Sequence, residues 1–140
     1  MKDYKITILS TIDGQTSEVI VYGNVYKEYG STVVYYNEGE SNDPTKIVIA
    51  DEVITIAREG EMNTLLTFEK DKTYSSTLDT EYGSIDIEMK TLDLYSAEKD
   101  RGVEMGIEYL TQIAGLESRF SISVRAEKVL QEDLADEPKS

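Results

Sequence analysis

Arg58 has the placement with the most chemical potential in this sequence. It follows Ile54 and Ile56 at a spacing of two, and strand alternation aims such residues at one side. If Ile54 and Ile56 face a core, Arg58 ends an apolar row beside the turn Glu59-Gly60. A guanidinium there can bind a ligand carboxylate bidentately. It can equally tie strand ends together by donating to carbonyl oxygens and a Glu at a rim. The opposite phase, Val53, Thr55 and Ala57 inward, would put Arg58 outside. Asp86 and Glu88 share a strand face and could act as an acid–base pair. They lie opposite in parity to Ile85, Ile87 and Met89, which marks them as outer-face residues. Residues 38–43 are acidic, but a calcium loop starting at Glu38 wants Gly at 43 and Glu at 49, where this chain has Asp43 and Ile49.

Other chemistries fail on residue type. The chain has no Cys and no His, so thiol nucleophiles, disulfides, zinc fingers and His-based triads are excluded. No G-x-S-x-G, S-x-x-K or P-loop motif occurs. The expectation is a non-enzyme, with no catalytic residue, no metal ligand set and no cofactor. There are 28 acidic against 14 basic residues, a net charge of −14, which argues against a nucleic-acid partner. No apolar run approaches the ~18–20 residues of a membrane span. Met1-Lys2-Asp3-Tyr4-Lys5 lacks the apolar segment of a signal peptide. The chain is therefore expected in the cytoplasm, away from membranes.

The elements that must position these residues are strands. A chain of 140 residues is one domain's worth. Tyr4, Ile6, Ile8, Ser10 and Ile12 share one parity up to Asp13-Gly14, a hairpin dipeptide. The next strand, through Glu28, is apolar on both faces: Val19, Val21 and Val25 on one, Ile20, Tyr22 and Tyr26 on the other. Its inward side stays open, as does that of the strand after Tyr29-Gly30-Ser31, with Val33, Val34, Tyr35 and Tyr36. Short strands follow at 45–50 and 53–58; Met62, Thr64, Leu66 and Phe68 then share a parity, and a further strand covers 73–78. From Ser84 the apolar parity runs Ile85, Ile87, Met89 and then switches to Leu92 and Leu94, which predicts a β-bulge near Lys90-Thr91. The strands after Gly102 and Gly115 alternate most clearly. They place Val103, Met105, Ile107, Tyr109, Phe120, Ile122 and Val124 inward, and Glu104, Glu108, Arg119 and Arg125 outward.

This pattern predicts an all-β fold, a closed or partly open antiparallel meander barrel of about 8–10 strands, because a long open meander leaves two exposed edges. A two-sheet sandwich is the alternative. Residues 1–128 form the barrel domain, and 129–140 are an acidic tail expected to be disordered. The ten Tyr residues include the cluster Tyr22, Tyr26, Tyr35 and Tyr36 around the Tyr29-Gly30 turn. Cross-strand packing or an interface would each explain it.

Arg58-Glu59-Gly60, Phe68, Tyr74, Thr80-Glu81-Tyr82-Gly83 and Thr91 together resemble the YwiB-like family of small bacterial β-barrel proteins. The resemblance spans most of residues 4–127. The family often has Pro where this chain has Glu81, and Met where it has Leu66. The resemblance implies a calycin-like barrel, related in shape to lipocalins and streptavidin, and brings no activity with it. By analogy with ligand-carrying barrels, a small apolar or anionic molecule would sit in the lumen or at its mouth. Arg58 would be the anion anchor, with Met105, Tyr109 and Phe120 as lining. The alternative is an interaction or scaffold protein with a filled core, acting through its surface or an oligomer interface; under either reading a monomer or homodimer is expected.

Overall fold

The computed structural model describes residues 3–38, 43–59 and 64–129. Ten strands run through them: β1 (Tyr4–Ile12), β2 (Gln15–Glu28), β3 (Ser31–Glu38), β4 (Asp43–Ile49), β5 (Val53–Arg58), β6 (Thr64–Glu69), β7 (Thr73–Thr80), β8 (Gly83–Lys99), β9 (Gly102–Ile113) and β10 (Leu116–Lys128). They form one antiparallel sheet in the order β6-β5-β4-β3-β2-β1-β10-β9-β8-β7. Strands consecutive in the chain are neighbours except at one point. β1 pairs with β10 over its whole length, from Tyr4↔Lys128 to Ile12↔Phe120, while β6 and β7 share no ladder. The sheet thus curls into a nearly closed barrel whose chain ends are zipped together and whose seam lies between β6 and β7.

Scattered bonds hold the seam. Ser76 Oγ donates to the Leu65 carbonyl at 3.1 Å, and the Tyr74 hydroxyl donates to Glu69 at 2.8 Å. The Asp71 amide donates to Thr91 O at 2.9 Å, and the Thr91 amide to Lys72 O at 3.1 Å. Thr91 therefore sits where the turn after β6 meets β8. The β8–β9 register shifts between Thr91 and Asp93, so the bulge falls one step past its expected place. Inward residues before it are Ile87, Met89 and Thr91; after it, Leu94 takes over opposite Ile107.

Three hairpins turn on two residues that both have positive φ: Asp13-Gly14 (47°, 90°), Tyr29-Gly30 (51°, 82°) and Ala114-Gly115 (53°, 82°). This turn geometry matches the right-handed strand twist. The phase of β2 is settled by Gly23. Val21 and Val25 pack on the core while Tyr22 and Tyr26 point outward. Gly23 lies inward between them, where a Cβ would come within 2.2 Å of Tyr35 O and 2.8 Å of Tyr36 Cβ. Two apolar faces thus reduce to one once the position that cannot carry a side chain is known.

The barrel interior is packed. Ile6, Ile54, Phe68, Met105 and Val124 are essentially inaccessible, with Val34, Ile47 and Met89 beside them. The expected phase of β9 and β10 holds: Val103, Met105, Ile107, Tyr109 and Val124 are buried, and Arg119 and Arg125 are exposed. Phe120 and Ile122 also pack on the core but remain half-buried. The Val129 amide donates to Asp3 O at 2.8 Å, so the chain is still bound one residue past the expected domain end. The rest of the expected tail, 130–140, lies outside the described residues, as do most of the acidic stretch 38–43, Gly60 and Met62.

Candidate functional site at the barrel mouth

The turns 13–14, 81–82 and 114–115 share one end of the barrel with the last residues of β3 and β5. At this end the wall has unequal height. β3 pairs with β2 only from Gly23 to Glu28, so residues 15–22 are paired to β1 alone. Likewise β8 pairs with β9 only from Glu88 onward, leaving 83–87 paired to β7. The long hairpins therefore rise past the short strands β3 to β6, and their inner faces lose the opposite wall that would cover them. Directly paired residues project to the same side of a sheet. The row Ile12–Phe120–Tyr109–Thr91 therefore climbs from buried Tyr109 and Thr91 to uncovered Ile12, 48% exposed. Val19, Ile85, Ile113 and Leu116 share this inward phase and are also exposed.

Beneath the mouth lies an aromatic stack. The Phe68 and Tyr109 rings are 4.7 Å apart and tilted by 55°. Tyr109 and Phe120 are 5.2 Å apart and nearly parallel at 13°. The stack joins β6, β9 and β10 across the lumen. Burial pushes the Tyr109 hydroxyl up to about 12, and the positive charge of Arg58 acts on it in the opposite sense.

Strand register places Arg58 at the same end. It ends β5 in phase with buried Ile54 and Ile56, pairs with Thr45 and Thr64, and sits at the rim with its residue exposed. The inward phase, rather than the phase of Val53, Thr55 and Ala57, is the one observed. Arg58 and Tyr36 are both already engaged within the protein. The four residues singled out for ligand binding, the anchor and its three lining residues, separate by depth. Arg58 and Phe120 reach the mouth, Tyr109 forms its floor, and Met105 is sealed inside the filled barrel.

The opposite end closes with polar groups. Lys27 and Thr32, from adjacent strands, both donate to Glu98 of β8, the Thr32 contact at 3.0 Å. A 340 Å³ surface cavity lies there, lined by Lys27, Thr32, Ile49, Asp51, Ser96 and Glu98 among others. Sequence reasoning missed both the Lys27–Glu98 pair and the uncovered wall. The first joins residues 71 apart in sequence, across the barrel, where no local pattern reports. The second had a signal in strand length: β2, β8, β9 and β10 have 12–17 residues, and β3 to β6 have 6–8. Asp86 and Glu88 are exposed, as their parity implied. No group of acidic residues suited to hold a metal occurs among the described residues, and no helix there is long and apolar enough to cross a membrane.

No curated protein matches the chain. Among solved structures, the crystal structure of the YwiB protein from Bacillus subtilis is similar, with a TM-score of 0.81 at 14% identity, covering 92% of this chain and 93% of that one. At that identity the likeness carries the fold, and it agrees with the barrel described above. A family model described as a domain of unknown function, DUF1934, matches residues 4–121, and the chain belongs to that family.

Proposed function

We propose that this protein is a non-enzymatic, cytoplasmic barrel that receives a small amphiphilic anion at its mouth. The ligand's apolar body lies on the uncovered inner wall of Ile12, Val19 and Ile113, and its anionic head meets Arg58. One observation carries the reading: the wall leaves inward-phase residues such as Ile12 and Val19 (48% and 45% exposed) open to solvent at the end where Arg58 sits. Side chains aimed at a barrel axis are normally buried, and an apolar patch rimmed by a cation suits an amphiphile. The filled lumen argues for binding at the mouth rather than deep inside, so Met105 supports the floor without touching ligand. Arg58 already has a partner in the ligand-free protein. A carboxylate would therefore exchange with or join that partner.

Isothermal titration with decanoate and with decanol tests this. Decanoate should bind in the micromolar range, about −8 kcal/mol, and decanol more weakly, by about tenfold or more. Arg58→Ala should remove the difference between the two probes, and Ile12→Glu should weaken both. Equal binding of the two probes to the native protein, or none of either, sinks the proposal.

A further inference from the structure

The outer surface of the barrel is divided electrically. On β9 and β10 the outward rows are Glu104–Arg125, Gly106–Ser123, Glu108–Ser121, Leu110–Arg119 and Gln112–Glu117, five charged residues in ten. Across β2 to β6 the two central outward rows are Asn24–Tyr35–Lys46–Ala57–Leu65 and Tyr26–Val33–Val48–Thr55–Thr67. Lys46 is the one charged residue in those ten, and it pairs with Glu28 at 3.4 Å. In a chain with a net charge of −14 these two rows hold no acid; Glu28 and Glu69 stand in the next outward row, at the margin of the face.

The same face is apolar. Tyr22, Tyr26, Tyr35 and Leu65 are exposed on it, Leu65 by 59%. Val33 is 1% exposed although it points away from the lumen, between Tyr26 and Val48 in the ladder, and it stands outside the barrel core. The outer face thus has a small packed centre of its own. Such a patch marks an interaction surface.

From this we infer that the outer face of β2 to β6 is the interface of a homodimer. Three features fix the occupant as a second copy. Every strand from β2 to β5 is paired on both sides, so the centre of the face offers no free backbone edge to an extended peptide. A broad, regularly laddered face fits another such face, as in aligned sheet-on-sheet packing. Finally, its central rows carry Lys46 with Glu28 beside it, so a two-fold axis through them brings no like charges of high density together, where each patch must meet itself. A basic partner would gain more on the acidic remainder of the surface. The five strands span about 24 Å by about 20 Å. That patch, extended by Ile20 and Tyr22 on β2, is comparable to the about 600 Å² per partner at the low end of stable interfaces.

Sedimentation velocity of the full chain tests this from about 1 to 500 µM, spanning the affinities such an area supports. A reversible dimer is expected. Its affinity should rise between low and high salt, because salt screens repulsion between the acidic remainders and leaves apolar contact intact. Leu65→Lys and Tyr35→Lys should each weaken it about tenfold or more, since each buries an unpaired charge. Tyr82→Lys, at an exposed turn of the mouth, should leave it unchanged. Leu65 carries little packing to lose, so its variant stays informative if Tyr35→Lys misfolds; unchanged far-ultraviolet dichroism confirms its fold. A monomer at every concentration overturns the inference. A dimer weakened by salt, or one insensitive to Leu65→Lys, overturns it as well.

Discussion

Truncating the two phenylalanines of the mouth stack should separate its floor from its opening. Phe68 is wholly buried, with Tyr109 at 4.7 Å, so Phe68→Ala removes the transfer energy of a ring and leaves a void. Such changes cost about 3–5 kcal/mol. Phe120 touches the same Tyr109 ring at 5.2 Å but is half-buried at the mouth. Water can fill the space it vacates, so the cavity contribution falls away. Partial ring burial contributes about 1–2 kcal/mol and the stacked pair about 0.5–1.5 kcal/mol, giving a total near 2 kcal/mol for Phe120→Ala. That is less than the full core cost its alternation alone would suggest. Urea unfolding followed by dichroism reads both. With a slope of about 2 kcal/mol per molar, the midpoint should fall by about 2 M for Phe68→Ala and about 1 M for Phe120→Ala. If Phe68→Ala does not fold, Phe68→Leu supplies the comparison at a smaller loss. Equal losses at the two positions would refute the open mouth, because they would mean Phe120 is as enclosed as Phe68.

The Tyr109 hydroxyl, pushed up to about 12, should stay protonated well above the ordinary tyrosine value of about 10, which ultraviolet titration of the native protein against Tyr109→Phe resolves. Because its folded value lies above the unfolded one, the associated stability is full below about pH 10 and is lost as pH rises toward about 12; a flat stability profile across that window would contradict this. Arg58→Ala should raise the Tyr109 value further by removing the nearby positive charge, and an unchanged titration would separate the two residues. Gly102→Ala should be severely destabilising, by more than about 3 kcal/mol, because its Cβ would meet the Ala126 backbone oxygen at 1.8 Å; Gly106→Ala meets only the exposed Tyr95 ring, which can turn aside, and should cost far less in the same thermal melt. Ala114→Asn should stabilise by a few tenths to about 1 kcal/mol, since Ala114 holds φ 53° in a turn that favours Asn; a loss of melting temperature would count against that turn.

The fold was legible where one face of a strand is wet. In β9 and β10, Glu104, Glu108 and Arg125 mark the outside, and the inward set follows by parity. It was illegible where both faces are apolar. β2 has its inner valines under the core and its outer Tyr22 and Tyr26 on an uncharged face, so hydrophobicity carries no sign there, and the deciding residue is Gly23. Arg58 was placed by the parity of Ile54 and Ile56, but its link to Tyr109 depends on two strands meeting across the lumen, which spacing within either strand cannot report. The bulge was visible as a change of phase, and its position moved one step because Thr91 gives both backbone groups to the 71–72 turn before the register can shift.

The position of the seam bears on function. Had the barrel opened where the chain begins and ends, β1 and β10 would be edges, and the row Ile12–Phe120–Tyr109 would be cut at its centre. Instead these two strands are zipped over nine residue pairs, and the break falls between β6 and β7. The tall wall behind the mouth is therefore a continuous sheet from β2 through β1, β10 and β9 to β8. The weaker closure lies on the other side, where side chains and a turn replace the ladder. Arg58 stands on that weaker side, on β5, one strand from the seam. A ligand held between the tall wall and Arg58 would bridge the rigid half of the barrel to the half with the fewest backbone bonds. Its binding should thus slow amide exchange at β6 and β7 more than at β1 or β10. Hydrogen exchange with and without decanoate measures this, and protection confined to the tall wall would show that Arg58 does not hold the ligand's head.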